Sequence, residues 1–429
     1  MNNPTPLHLG EKIRQIRVAK GLSQENLAHA TGKSKAHISR MERGSSDIDD
    51  KTLAEIKKYL EIEKAPLHDY ELEVYKTRIW AWNELVNNRR MDTAKSVQEE
   101  LSLILDLPFE IELNVLYKMV KCKILALEYN APAVDALLNE AEAYLDQVSS
   151  DALYLYHRAR GSQFYIKHEY KIALAHYLQA LEHNDHELRP DAILLLNTGN
   201  CYASMGRHIV GLEYFARAKR EYRGDQSNQI AYAIDTALAC SYQTIGEFDR
   251  ARKIFESALV QARGVSDRLW TGQLLANLCK VNLLMGNYEE AVKISEETLM
   301  YMDEIGDMAY AHFLQNRALS MKELKDYAGC EEVLKQAEAF AKVNERFAID
   351  AETLRHLLTP QEGASASYLE SVSLPFYRSC GGWMILFTLE ICEILESQYR
   401  KRGAARKADA IAIISRDIYK GMIFGPEDE

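Results

Sequence analysis

Five segments of this 429-residue chain repeat one pattern at a nearly constant interval, and no feature constrains the fold more. They are GSQFYIKHEYKIALAHYLQA from Gly161, GNCYASMGRHIVGLEYFARA from Gly199, ACSYQTIGEFDRARKIFESA from Ala239, CKVNLLMGNYEEAVKISEET from Cys279, and a fifth copy from Ala318. Each copy opens on a small residue and carries another twelve positions later: Ala173, Gly211, Ala251, Ala291 and Cys330. In three copies an aromatic follows four further on, at Tyr177, Phe215 and Phe255. The interval is close to that of a stacked array, in which each unit buries its apolar face only against its neighbours. Weaker hairpins are expected at about 70–106, 110–147, 345–373 and 376–421, with Pro360 and Gly363 interrupting the third. The array then has eight or nine antiparallel helix pairs.

The order of small and aromatic residues resembles the tetratricopeptide repeat, although the period here is longer than that family's minimum. The resemblance implies an all-α, right-handed superhelical solenoid whose first helices line a concave face, with the aromatics filling the gap between units. Asn197, Asn277 and Asn316 each stand two residues before the small residue of their copy. In peptide-binding repeats of that family, Asn at this position bonds the main chain of an extended ligand. A side-chain amide suits the task because it donates and accepts at once. Arg158, Asn200, Gln243 and Lys280 are placed on the same face, to read ligand side chains or a terminal carboxylate.

The N-terminal segment follows a different plan. Leu9, Ile13, Ile16 and Arg17 are spaced for a helix over about Leu7–Lys20 that stops before Gly21. Ser23 caps a second helix from Gln24 to Ala30, with Glu25 in its first turn. Gly32 permits a tight turn, and Ser34 caps a third helix to about Arg43, closed by Gly44. Leu27, Ile38 and Met41, with Leu53, Ile56 and Leu60 from a last helix, supply the core. The stretch GLSQENLAHATGKSKAHISRMERG resembles the helix-turn-helix of the phage-repressor (Xre/Cro-like) family at Leu22, Ser23, Gln24, Leu27, Ala28, Gly32, Ile38, Glu42 and Gly44. In that family the second helix of the motif lies in the major groove. The resemblance implies that Lys35, Ala36 and Arg40 face base edges and that Gln24 meets the backbone. It leaves Ser34, His37, Ser39 and Arg43 for phosphates.

Charge supports this division. Residues 1–46 carry eight Lys and Arg against three Asp and Glu, whereas residues 63–429 carry 41 against 55, inside a chain of net charge −11. Only the head is suited to a polyanion, and a broad basic surface on the body is excluded. Glu61–Asp69, which contains Pro66, is the expected boundary, giving a domain of residues 1–62, a linker of 63–69 and a repeat domain of 70–429. No apolar run is long enough for a membrane span, and the first residues lack a secretion signal, so a cytoplasmic protein is expected. The seven cysteines form no CxxC pair and sit singly in helical patterns as small core residues. HExxH, GxxxxGK[ST] and GxSxG are missing, so neither an enzyme nor a cofactor is expected. His183 and His186 have a spacing compatible with metal, but read as solvated turn residues.

An Xre-type head on a tetratricopeptide solenoid resembles, over essentially the whole chain, the RRNPP quorum-sensing regulators, most closely their longer NprR-like members. The resemblance implies a transcription regulator that binds a short signalling peptide, which alters conformation or oligomeric state and so operator binding. Its implied partners are a palindromic double-stranded DNA operator, the peptide, and a second copy of the chain. The homodimer, or a higher homo-oligomer, is expected to form through the C-terminal run of Trp383, Ile385, Leu386 and Phe387. The alternative keeps the head but lets the solenoid dock a response regulator or sporulation phosphotransferase, as Rap-type members do.

Overall fold

The computed structural model describes residues 9–62, 64, 67–128, 130–185, 191–222, 228–358, 364–380 and 384–424. They are helical throughout, without a strand among the described residues, and divide into two compact units, 1–189 and 190–429.

The first unit opens with α1 (Leu9–Ala19), α2 (Gln24–Thr31), α3 (Lys35–Glu42) and α4 (Asp50–Tyr59). The expected caps are present: Ser23 Oγ accepts from the Asn26 amide at 3.1 Å and Ser34 Oγ from the His37 amide at 3.2 Å. Asn26 closes a capping box by accepting from the Ser23 amide at 2.8 Å, a partner the sequence reading did not foresee. Gly32 takes the left-handed conformation (φ +62°) that turns α2 into α3. Ile13, Leu27, Ile38, Met41, Ile56 and Leu60 are wholly buried at the centre. Gly10 lets α1 cross α3 closely, since a Cβ there would stand 1.8 Å from the Met41 carbonyl oxygen.

Three hairpins follow: α5 (Asp69–Asn87) with α6 (Met91–Leu101), α7 (Ile111–Leu127) with α8 (Ala131–Glu142), and α9 (Ser150–Ile166) with α10 (Tyr170–His183). The head does not hang free of them. Phe109, just before α7, completes the head's apolar core. Glu110 binds Lys12 of α1 at 2.9 Å, both side chains buried, and also accepts from the Leu67 amide at 2.9 Å. The expected linker is therefore pinned at its end by a carboxylate of the body; Pro66 lies outside the described residues.

The second unit contains α11 (Ala192–Ser204), α12 (His208–Glu221), α13 (Asn228–Thr244), α14 (Phe248–Gly264), α15 (Arg268–Leu284), α16 (Tyr288–Thr298), α17 (Asp307–Glu323) and α18 (Tyr327–Val343). These are four successive pairs, each second helix also packing on the first helix of the next pair. The first helices α11, α13, α15 and α17 form one continuous layer by packing on one another. The repeated small residues have a direct cause. A Cβ on Gly199 would lie 2.5 Å from the Phe215 ring, and one on Gly161 2.6 Å from the Tyr177 ring. The aromatic thus presses on the small residue of its own hairpin, and Phe255 also shares an apolar cluster with Leu274, Leu275 and Leu278 of the next pair.

Beyond α18 come α19 (Ala348–Leu358), then a continuous run of α20 (Ala364–Tyr368), a π-helical turn (Leu369–Ser373) and α21 (Leu374–Ser379). Pro360 and Gly363 lie outside the described residues. The chain does not break near 373–376 as expected: the wide π turn gives Pro375, which lacks an N–H, room inside the run. The last hairpin is α22 (Ile385–Lys401) with α23 (Ala405–Phe424), so it begins at 385 rather than 376. Leu319 shares its apolar cluster and Leu283 packs against it; Ile385 approaches Gly206, and α23 touches α12. Phe387 is buried edge-on against Tyr377, with centroids 4.6 Å apart, while Ile385 and Leu386 are half-buried. Of the run expected to form the dimer contact, Phe387 is thus buried within the chain while Ile385 and Leu386 keep part of their surface; Trp383 lies outside the described residues.

Two stability measurements check this packing. Gly199→Ala should destabilise the protein by about 1–3 kcal/mol through overpacking, and Phe215→Leu in the same chain should recover part of the loss in urea titrations. Glu110→Ala should cost about 3–5 kcal/mol by stranding a buried ammonium, and the Lys12→Met, Glu110→Leu pair should restore most of it.

Candidate functional site

The first candidate is the outer surface of α3. Its position follows from the core: burial of Ile38, Met41 and Glu42 turns the remaining residues outward. Lys35, Ala36 and Arg40 are exposed, as are Ser34 and Arg43, while His37 and Ser39 are half-buried. Lys35 meets Glu25 of α2 at 3.1 Å, with both side chains largely in solvent. Such an exposed pair is worth little and exchanges readily for a phosphate or base edge. Arg43 Nε donates to the Ser39 carbonyl at 3.1 Å, which orients its guanidinium along the helix. Ser34 spends its hydroxyl on capping α3.

Gln24, which the helix-turn-helix resemblance sets against the DNA backbone, is half-buried at the start of α2. Its Nε2 donates to Glu42 at 2.8 Å, and Glu42 is buried in a two-point pair with Arg17, at 2.5 and 2.8 Å. Arg17 also donates to the Leu22 carbonyl at 2.6 Å. Glu42 thus ties α1, the first turn of α2 and the end of α3 together, which fixes how α3 is presented. Arg17 and Glu42 were each visible in the sequence, but a pairing between positions so far apart in the chain was not.

The second candidate is the surface that α11, α13, α15 and α17 share. Helical spacing places Asn197 and Asn200 on one face of α11, Thr236, Cys240 and Gln243 on α13, Asn277 and Lys280 on α15, and His312 and Asn316 on α17. Among the described residues the side chains of Asn197, Asn200 and Asn316 make no hydrogen bond. Asn277 donates to its own helix at the Gln273 carbonyl, 3.0 Å, and receives a long 4.0 Å contact from Cys240 Sγ. Gln243 Oε1 and Thr236 Oγ1 are buried without partners. Buried polar atoms are rarely left in this state, so two on one surface mark a place where further donors belong.

Lys280 is the cation of this surface. Burial draws its ammonium below the usual lysine range, against the opposing pull of Cys240 and Glu390. His312 is pushed down to about 4 by burial and by Lys280, so it is neutral at physiological pH. Glu390 reaches the region from α22, its carboxyl raised to about 7 by burial despite Lys322 and Lys280 nearby. Neither His312 nor Glu390 was singled out in the sequence, because each lies outside the small-residue register. Arg158, expected on the same ligand face, is buried in α9 of the first unit.

Both candidates lie on parts of the chain that resemble known proteins. The helix-turn-helix family HTH_3 matches residues 13–67. Control protein C.BamHI of Bacillus amyloliquefaciens is 35% identical over 71 residues, which are 16% of this chain and 88% of that protein. The apo form of the quorum sensor NprR from B. thuringiensis superposes with a TM-score of 0.67 at 18% identity, over 82% of this chain and all of that one. NprR in complex with its cognate peptide NprX gives 0.62 at 18% identity, over 80% of this chain and 99% of that one. At these identities the two structures establish a shared fold.

The exposed cations of α3 yield a direct check. Arg40→Ala should cost about 1–3 kcal/mol on a selected DNA site and relax preference at one base pair. Arg43→Ala should weaken all sequences alike and flatten the salt dependence. Binding-site selection followed by salt titration separates the two, and unchanged selection by Arg40→Ala would put α3 in a different register.

Proposed function

We infer that this chain, which belongs through its N-terminal domain to the helix-turn-helix family and whose body has the fold of NprR, is a DNA-binding transcription regulator controlled by a short peptide. The observation that carries this reading is the line of amide side chains on the first helices of the second unit, of which, among the described residues, only Asn277 has a partner, within its own helix and at Cys240. Asn197, Asn277 and Asn316 stand in register, and Thr236 and Gln243 between them hold buried oxygens without donors. Main-chain amides of an extended ligand have the matching groups, and Lys280 adds a charge for a ligand carboxylate.

Dimensions agree. An extended ligand advances about 3.3 Å per residue, and packed helices lie roughly 8–10 Å apart. Each repeat then meets about three ligand residues, and the span of the ladder suits a peptide of about five to ten. One head covers a half-site, so two copies of the chain on a palindromic operator are part of the proposal. The ligand acts by favouring one arrangement of the repeats over another; equal affinity for both would switch nothing. No described helix is long and apolar enough to cross a membrane.

A second reading is docking of a protein partner. Val260, Val265, Leu269, Met300 and Met308 are exposed at the end of α14, the start of α15 and the junction of α16 with α17, and exposed apolar side chains suit a macromolecular contact.

Asn277→Ala should weaken peptide binding about tenfold or more, because ligand polar groups lose their partner at about 1–3 kcal/mol. The variant should keep its fold and its DNA affinity. Calorimetry on the cognate peptide reads the difference, and unchanged affinity in single alanine variants of all three asparagines would favour the protein partner instead.

A further inference from the structure

The last hairpin packs on more than its predecessor in the chain. Cys240, Lys280 and Leu319 occupy one register position on α13, α15 and α17, and Gln243, Leu283 and Lys322 lie a turn further along. The hairpin meets both rows. Leu319 is buried in its apolar cluster, Leu283 packs against that cluster, and Glu390 of α22 lies near Lys280 and Lys322. At the start of α22, Ile385 stands beside the Gly206 turn, and α23 touches α12.

The two sides of this packing are unequal. Towards the chain that precedes the hairpin, the cluster takes in Leu357, Leu369, Leu374 and Tyr377. There Glu370 also accepts from Tyr399 at 2.6 Å and from Lys407 at 3.0 Å. Among the described residues the first helices give the cluster only Leu283 and Leu319. The other groups near Glu390 are charged: Lys280 of α15, Lys322 and Glu323 of α17, and Glu393 of its own helix. Among the described residues no ion pair or hydrogen bond joins Glu390 to either lysine. Charges drawn out of water without a close partner weaken a contact.

We propose that the α22–α23 hairpin is a cover rooted on α19 to α21, which closes over the ends of the first helices and lifts to admit a ligand to Lys280, with Glu390 as the group that sets its position. The ligand's part in this rests on the peptide reading above. Burial raises the Glu390 carboxyl to about 7, against the pull of Lys322 and Lys280. In water the same carboxyl returns to its ordinary range. The closed position is therefore favoured in full below that range, and the preference is lost as pH rises through about 7. Deprotonation lifts the hairpin. Burial also draws the Lys280 ammonium below its usual range, so its charge favours the lifted position too. His312 and Cys240, which lie beside Lys280, are held at about 4 and about 11, and both stay neutral through this change.

Hydroxyl-radical footprinting of the full-length, peptide-free protein, read by mass spectrometry, tests the cover at about pH 6 and about pH 8. Oxidation of Leu283 and Leu319 should rise about threefold or more at the higher pH, while Leu369 and Leu374 at the root stay protected. Glu390→Gln, neutral at both, should keep Leu283 and Leu319 at the low level throughout. At about pH 8, acetylation of Lys280 should be about threefold slower in Glu390→Gln than in wild type, with the exposed Lys293 unchanged. Circular dichroism checks the fold, and Glu390→Met takes the place of the glutamine variant should that one not fold. Leu283 and Leu319 unchanged in wild type, a variant that follows wild type, or root leucines oxidised alongside them would each overturn the proposal. Because no peptide is used, a hairpin that stays closed sinks the cover and leaves the peptide reading standing. Peptide affinity unchanged in the asparagine variants would do the reverse.

Discussion

Close approach of two helices over a residue without a side chain is the constraint from which the body of this protein is built. Gly161 lies against the Tyr177 ring and Gly199 against the Phe215 ring at distances that leave no room for a Cβ. At the equivalent place in the next pair, Ala239 and Phe255 are both wholly buried. The contact sets the separation within each hairpin. With that fixed, the first helices fall into one layer and their outward faces into one surface. A larger residue at the opening position would part the helices, and since interiors are close-packed the displacement would pass to the neighbouring pair. The amides of Asn197, Asn277 and Asn316 stand in line because the glycine or small residue two places later stands in line.

Charge organises the head in a complementary way. Arg17 and Glu42 lock three helices from inside, and Gln24 is drawn into the same pair, so α3 is held by a buried polar network rather than by apolar contacts alone. A second buried pair, Lys12 with Glu110, fastens that head to the hairpins behind it. Fully partnered networks of this kind are rigid, while a half-partnered one is costly. A change in packing at α7 is therefore felt at α1, because Glu110 precedes the first residue of α7 and Phe109 lies in the head's core.

Much of this was legible in the residues themselves. Ser23 and Ser34 cap the helices they were expected to cap, and Ile13, Leu27, Ile38 and Met41 are the core they were expected to be. The regular rhythm of small residues located α9 to α18 with little error, because a periodic packing requirement writes itself into the chain at every turn. Pairings between distant single positions were not legible. Nothing in the sequence tied Lys12 to Glu110, far along the chain, or set Glu390 beside Lys280. The boundary expected between the hairpins at 373 and 376 falls within a run that a π turn makes continuous. His183 read as solvated because its chain neighbours are polar, whereas it stacks on the His157 ring; His186 lies outside the described residues.

The sequence by itself determined the class of the protein: an all-α chain with a helix-turn-helix head and a stacked helical body, its caps, its period, and the face on which its amides recur. Each of these is set by contacts between residues a few positions apart, or by one requirement repeated many times. The tertiary structure alone decided which charges are buried together and which rings come into contact. Those outcomes hinge on single long-range contacts, for which local spacing carries no signal. They were settled when the close helix crossings fixed the distances between the helices that bear them.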